Sequence, residues 1–168
     1  MKTNKNTLKK NLMIAAVVII LYSMLLVLTY RIDLRNKAEA IANAPISAAE
    51  DISAQLDLSI ACGLSYTDGT VSGNISITNN GKAVADMENE LSSVHLGLSL
   101  VDADGNIILL DYSHLIIKNG TFEKGETVEI PINFEDLSDY EDCKGIRAAI
   151  VQENVAWLDH TAAIWMFE

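Results

Sequence analysis

Two hydrophobic patterns divide the chain. From Leu12 to Tyr30, nineteen residues pass without a charged residue, a glycine or a proline. At about 1.5 Å per residue, a helix of this length covers most of a hydrocarbon core of roughly 30 Å. A helix lying on the core of a soluble domain would show a polar face at a spacing of 3.6 residues, and this run has none. The pattern therefore predicts a transmembrane helix over residues 12–30.

Beyond residue 53 the apolar period changes to two, which is the period of β-strands. The alternating apolar positions are Leu56, Leu58, Ile60 and Cys62, then Val71, Gly73, Ile75 and Ile77, then Leu96, Leu98 and Leu100, and then Val128, Ile130, Ile132 and Phe134. The segments IRAAIV and TAAIWMF add two strands near the C-terminus, and Pro131 favours an edge position for its strand. About seven short strands with turns between them predict an all-β, immunoglobulin-like antiparallel β-sandwich.

These patterns predict four regions. They are a basic N-terminal tail (1–11), the transmembrane helix (12–30), a helical stalk and linker (31–52) and the β-sandwich domain (53–168). Helix-forming residues continue the transmembrane helix until Pro45 ends the stalk. The SAAE sequence that follows, residues 47–50, matches a capping box and predicts one short helical turn.

Charge is distributed unevenly along the 168 residues. Residues 1–45 hold seven Lys and Arg against two acidic residues, whereas the other 123 residues hold five Lys and Arg against 21 Asp and Glu. A domain this acidic is repelled by phosphate backbones, so no nucleic-acid partner is expected. More basic residues precede the span than follow it, which predicts a cytoplasmic N-terminus and an extracytoplasmic domain at the inner cell membrane. The predicted partner of residues 12–30 is the lipid bilayer.

Cys62 and Cys143 are the two cysteines of the chain. In an exported domain they are a candidate disulfide pair, which would stabilise the fold by about 4 kcal/mol through loop closure. The alternative is two buried, reduced thiols. Both interpretations remain open from the sequence.

No catalytic, metal-binding or cofactor motif is present. The DADGN segment (102–106) has the odd spacing of a calcium loop, but its glycine comes too early and no glutamate follows at position twelve, so a β-turn is predicted. His95, His114 and His160 share no ligand spacing, and each is expected to decorate a strand end. The chain is therefore expected to be no enzyme and to bind no metal or cofactor, although scattered acidic residues leave a hydrolase conceivable.

Three segments carry a resemblance. They are VHLGLSLVDADGNIILLD (94–111), FEKGETVEIPI (122–132) and IRAAIVQENVAWL (146–158). In this order they resemble the immunoglobulin-like domain associated with bacterial surface-polysaccharide (lipopolysaccharide) biosynthesis and export proteins. In that family the closing strand resembles LVQEGVAWF, so Asn154 stands here in place of glycine, and Lys124 replaces the proline of a PGE turn.

The resemblance implies a domain that accompanies glycan-modifying enzymes, with a related sandwich that recognises the exported glycan. The QENVAW segment then places Trp157, Gln152, Glu153 and Asn154 among candidate ligand-binding residues. Trp157 has two interpretations: a core residue between the sheets after a bulge, which is favoured, or an exposed ring that stacks on a sugar.

The expected function is a single-pass, membrane-anchored, non-catalytic module of envelope biogenesis that recognises a surface glycan or a partner subunit. The alternative is a structural subunit of a membrane complex whose contacts are made by the transmembrane helix, for which Ala15 and Ala16 offer a small-residue face.

Overall fold

The computed structural model describes residues 5–135 and 137–167. The chain divides into two compact units at the boundary between Asn43 and Ala44. The first unit is a single helix, and the second is built of β-strands. This division agrees with the change of hydrophobic period along the sequence.

The N-terminal unit contains helix α1, Lys5–Ala42. Its part from Leu12 to Ala42 is long and apolar enough to cross a membrane, and none of its most apolar window is buried. The predicted stalk continues the same helix, where Arg35 pairs with Glu39 and Lys37 with Asp33, each one helical turn apart. The predicted helix is therefore confirmed, and residues 1–4 of the predicted tail lie outside the described residues.

The second unit contains nine strands and a short 3-10 helix at Leu137–Asp139 among its described residues. The strands are β1 (Ile46–Ser47), β2 (Leu58–Thr67), β3 (Thr70–Asn79), β4 (Val84–Ala85), β5 (Val94–Val101), β6 (Ile107–Ile116), β7 (Thr127–Phe134), β8 (Gly145–Gln152) and β9 (Ala156–Met166).

Two antiparallel sheets make up most of this unit. One has the strand order β2-β3-β7 and the other β6-β5-β8-β9, while β1 and β4 form a small parallel pair. The apolar residues that alternate along the strands form one core, which includes Ile75, Ile77, Leu96, Leu98 and Ile150. The two sheets and their shared core are consistent with the predicted β-sandwich. Pro131 lies on β7, which is an edge strand, as its sequence position predicted.

The predicted linker is wrong in its second part. Residues 46–52 belong to the β-domain, because β1 pairs with β4 and the side chains of Ala48 and Ile52 are buried. In the SAAE segment Ser47 ends β1 and residues 48–50 form a turn rather than a helix, and the hydroxyl of Ser47 donates to the carboxylate of Asp86. Burial of two apolar side chains within these seven residues, together with the pairing of β1 and β4, outweighs the weak local helix signal.

The DADGN segment forms the predicted turn. The Asp102 carboxylate accepts hydrogen bonds from the backbone N–H groups of Asp104 and Asn106, at 2.9 and 2.8 Å, and one from the Asn106 side chain at 3.0 Å. Gly105 adopts φ +81°, a value that favours glycine. The side-chain bond from Asn106, followed by its backbone bond, holds the pKa of Asp102 below its usual value of 3.8.

This turn predicts a dependence of stability on pH. A carboxyl whose pKa is lower in the folded state stabilises the fold above its unfolded pKa, and this stabilisation is lost as the pH falls through the folded pKa. We therefore expect the thermal midpoint to fall as the pH is lowered from about 5 through the folded pKa of Asp102, which lies below 3.8. Asp102→Asn should lower the midpoint at pH 7 and flatten this dependence. Thermal unfolding followed by far-UV circular dichroism measures both effects.

Asp104→Asn is the matched control for this prediction. Its carboxylate lies in the same turn but accepts no hydrogen bond from the described residues. Equal midpoints and equal pH dependence for the two variants would contradict the role assigned to Asp102.

Candidate functional site

The outer face of the four-stranded sheet carries the candidate site. Leu96 and Leu98 of β5 point into the core, so His95 and Gly97 face the other way. A Cβ atom on Gly97 would lie 2.5 Å from the side chain of Val151 and 2.6 Å from the ring of Trp157. The indole of Trp157 therefore lies directly across the Gly97 backbone, on the side of the sheet away from the core.

This position corrects the favoured interpretation of Trp157. Where a bulge was expected at residues 152–154, the chain instead makes the hairpin turn between β8 and β9 at residues 153–155, and Trp157 pairs with Val151 across the hairpin. With this pairing the side chain of Leu158 points into the core, and the side chain of Trp157 lies half-buried on the opposite face of the sheet. The prediction that Trp157 lies in the core between the sheets is therefore wrong. Stacking of its indole on a sugar stays a prediction.

Charged side chains flank the indole. The guanidinium carbon of Arg147 lies 6.0 Å from the ring centroid, and its NH2 group pairs with the carboxylate of Asp159. The Arg147 side chain is 10% exposed and that of Asp159 is 83% exposed, so a largely buried cation meets a solvated anion. The ring of His114 lies 5.6 Å away on a tilted plane. Together these groups surround an aromatic surface with hydrogen-bonding partners.

A second cluster lies beside the indole. The Oε1 atom of Glu153 lies 3.0 Å from Nδ1 of His95 and 2.7 Å from Nδ1 of His114. The other ring nitrogen of His114, Nε2, lies 2.6 Å from Oδ1 of Asp111. That nitrogen is buried and has no partner with hydrogen-bond geometry among the described residues, so the short contact to Asp111 is out of line with the ring.

The strands explain how these residues meet. His95 is on β5, and His114 lies opposite Gly97 on the neighbouring β6. Asp111 has φ +63° where the pairing of β5 and β6 shifts register, which directs its carboxylate back toward His114. Glu153 comes from the turn after β8, the strand on the other side of β5.

The turn that carries Glu153 is fastened to the segment before β5. The N–H of Glu153 donates to the carbonyl of Ser93 at 2.9 Å, and the amide of Asn154 donates to the carbonyl of Leu91 at 2.8 Å. Asn154 has φ +57°, a conformation that asparagine tolerates better than most residues and that glycine adopts freely. Asn154 therefore holds the turn, while Glu153 contributes to the surface.

Gln152 does not belong to the same surface. Its side chain is 1% exposed and faces the inside of the domain. Its Oε1 accepts from the N–H of Ile52 at 3.2 Å, and its Nε2 donates to the carbonyls of Ala48 and Glu50 at 3.2 and 2.6 Å. This corrects the predicted grouping of Gln152 with Trp157. Val151, the neighbour of Gln152 on β8, lies on the same face as Trp157, and neighbouring residues of a strand point to opposite faces.

The two cysteines are free thiols in the structure. Cys143 is buried, and Cys62 on β2 is half-buried. Burial raises the pKa of both thiols above the usual value, so both are held in the protonated, weakly nucleophilic form. The structure does not join the candidate disulfide pair.

Sequence reasoning named Trp157 and Glu153 as candidates but did not name the side chains that the structure places around them. His95, His114, Arg147 and Asp159 were not assigned to a site. The alternation in VHLGL does place His95 on the face opposite the leucines. No local signal brings His114 or Glu153 to that face, because both depend on which strands flank β5.

Comparisons with known proteins give little further information. No protein-family model matches the chain, and no curated protein matches it. A crystal structure of a Bifidobacterium adolescentis GH3 beta-glucosidase is distantly similar, with 9% sequence identity and a TM-score of 0.32. The match covers 67% of this chain and 17% of the enzyme, so the chain spans a small part of that enzyme's length.

Proposed function

We propose that this protein is a membrane-anchored, non-catalytic binding module with an immunoglobulin-like domain that recognises a surface glycan during envelope biogenesis. The strand orders support the fold assignment. Seven antiparallel strands in sheets of three and four, with strands joined across the sandwich, suit an immunoglobulin-like arrangement. The resemblance of residues 94–158 to domains of polysaccharide biosynthesis and export supports the ligand class.

The apolar helix supports the anchor. With four lysines before the span and three basic residues after it, the charge bias favours a cytoplasmic N-terminus and a domain outside the inner membrane. The intact chain should then resist extraction by alkaline carbonate and require detergent.

Labelling of a Ser138→Cys variant by an impermeant maleimide, in a background lacking Cys62 and Cys143, tests the side of the membrane. Ser138 is exposed on the described surface. Labelling only after the cells are opened would contradict this orientation.

The observation that carries the glycan proposal is the half-buried indole of Trp157 among polar partners on the outer face. A sugar presents an apolar C–H face that packs on an aromatic ring, while its hydroxyls need donors and acceptors at the edge. Arg147 and Asp159 provide these on one side, and His114 and Glu153 provide them on the other. The indole packs against the Gly97 backbone, where the absence of a Cβ atom leaves room for the ring.

Two tryptophan variants, one at the proposed site and one at the core, test this proposal. The full chain in detergent is applied to an array of bacterial surface polysaccharides. We expect Trp157→Ala to lower retention at least about tenfold, because the loss of a stacked ring costs about 1.4 kcal/mol or more. Trp165→Phe, which keeps an aromatic ring where Trp165 packs against the core, should retain binding. No retention by the wild type, or equal retention by both variants, would refute glycan recognition at this face.

A specific observation favours partner-subunit binding as the second candidate. Strand β6 is an edge strand, and it exposes Ile108, Leu110 and Ile116 by 40, 52 and 61%. An edge strand with exposed apolar side chains is a surface on which another chain can add a strand. Under this proposal a partner co-purifies in mild detergent and is lost on Leu110→Lys. If the contacts run through the helix instead, the partner is retained by that variant and lost when α1 is replaced by another span.

A further inference from the structure

We propose that His95, His114 and Glu153 form a binding site for a divalent transition metal ion, for which zinc is the best match. The expectation from the sequence was that the chain binds no metal, because its histidines have no ligand spacing. The site shares His114 and Glu153 with the proposed glycan surface, but metal binding does not depend on glycan binding. The inference rests on the distances, burial and ligand chemistry of these three residues.

The distances suit a small metal ion. One ligand atom from each of the three residues lies within 4.8 Å of the other two. The two contacts to the Glu153 carboxylate are 3.0 and 2.7 Å. With metal–ligand bonds of about 2.0–2.2 Å and tetrahedral angles, zinc needs ligand atoms about 3.4 Å apart. The two contacts to Glu153 differ from this spacing by less than about 1 Å, and no two of the ligand atoms are more than 4.8 Å apart.

The ligand chemistry selects the kind of ion. Two imidazoles and one carboxylate are ligands of zinc, copper, nickel and iron, whereas calcium and magnesium prefer sites built of oxygen alone. The side chains of His95, His114 and Glu153 are 23, 24 and 30% exposed, so the ligands are partly dehydrated but still reachable from solvent. Three protein ligands leave a coordination position open to water or to a group of a bound partner.

Asp111 supports the assignment because its carboxylate lies beside Nε2 of His114, the ring nitrogen that does not face Glu153. Metal-binding histidines usually donate their second N–H to a carboxylate, which fixes the tautomer and the ring orientation. Here Nε2 of His114 is buried 2.6 Å from the Asp111 carboxylate without a hydrogen bond. A small rotation of the ring as Nδ1 takes up an ion would bring this N–H into line.

The four ligand and positioning residues are arranged on three separate segments. His95 belongs to β5, His114 and Asp111 to β6, and Glu153 to the turn held by Asn154. Side chains on a paired sheet and an anchored turn are held in place better than side chains on a free loop. The arrangement thus exists before an ion arrives, which lowers the ordering cost of binding.

The test is a zinc titration of the full chain in detergent, purified without a polyhistidine tag, in competition with a chromogenic chelator. We expect one zinc ion per chain and no competition by calcium. His95→Gln, His114→Gln and Glu153→Gln keep side-chain volume, and each should weaken binding more than about 100-fold, since even a lost outer partner of a metal ligand costs about 10–100-fold. Asp111→Asn should weaken binding by about tenfold.

His160→Gln is the control, because His160 is exposed and lies apart from the three proposed ligands. It should bind zinc as the wild type does. Cobalt gives a second readout, since its visible absorption spectrum should report bound imidazole in the wild type and in His160→Gln but not in His114→Gln. Far-UV circular dichroism establishes that the variants are folded. The proposal is overturned if the wild type does not bind zinc saturably, or if binding survives the loss of both His95 and His114.

Discussion

Gly73→Ala is expected to prevent the β-domain from folding, or to lower its free energy of unfolding by more than about 4 kcal/mol. Gly73 lies in the middle of β3, hydrogen-bonded between β2 and β7. A Cβ at this position would lie 2.2 Å from the carbonyl oxygen of Gly63 and 3.0 Å from the Cα of Leu64. Both atoms are backbone of a paired strand, so they cannot move aside without breaking the ladder. The φ of +135° is also unfavourable for alanine.

Gly63→Ala is the control for this prediction. Gly63 lies on the adjoining strand β2, but a Cβ there would meet only the carbonyl oxygen of Asn74, at the ordinary contact distance of 3.5 Å. We expect this variant to fold, with a change of no more than about 1 kcal/mol. Urea unfolding of both variants, followed by circular dichroism, makes the comparison. Similar midpoints for the two would show that β3 can relax around an added methyl group.

Gln152→Ala is expected to lower the free energy of unfolding by about 3 kcal/mol. The side chain makes three hydrogen bonds to the segment around β1, all from a position that is 1% exposed. Its loss leaves the N–H of Ile52 buried without a partner and opens a cavity. The carbonyl of Ala48 keeps its bond from Ser92, so the cost is less than that of three orphaned groups.

Two measurements check this prediction. Urea denaturation should give the lower stability, and limited proteolysis should cleave residues 44–52 sooner in Gln152→Ala than in the wild type, because the segment loses its fastening to β8. Gln55→Ala, which removes the same side chain from an exposed position, should change neither result. If the segment is no more sensitive in Gln152→Ala than in Gln55→Ala, the buried amide does not hold it.

Three elements predicted from local patterns agree with the structure: the N-terminal helix, the alternating strands and the DADGN turn. The apolar run beginning at Leu12 forms a helix that is long and apolar enough to cross a membrane, as the absence of a polar face predicts. The alternation around Ile75 and Ile77 forms a strand whose apolar face meets the core. The DADGN turn forms because Asp102 bonds to the backbone of its own turn.

The errors arose where distant contacts outweigh local signals. The SAAE segment has a helix-capping pattern, but pairing with β4 and burial of Ala48 and Ile52 draw it into the β-domain. Trp157 was expected inside because large aromatic residues usually bury, yet the hairpin turn at residues 153–155 sets the phase of β9 and gives the inward position to Leu158. A shift of one residue would have reversed the two.

The sequence by itself determined a helix long and apolar enough for a membrane, an acidic β-domain and the turns that separate its strands, because each of these depends on residues close together in the chain. Only the tertiary structure decided that β6 and β8 flank β5, and hence that His114 and Glu153 meet His95 beside Trp157. Strand order is set by packing over the whole core, so residues far apart in sequence share a site that no local spacing encodes.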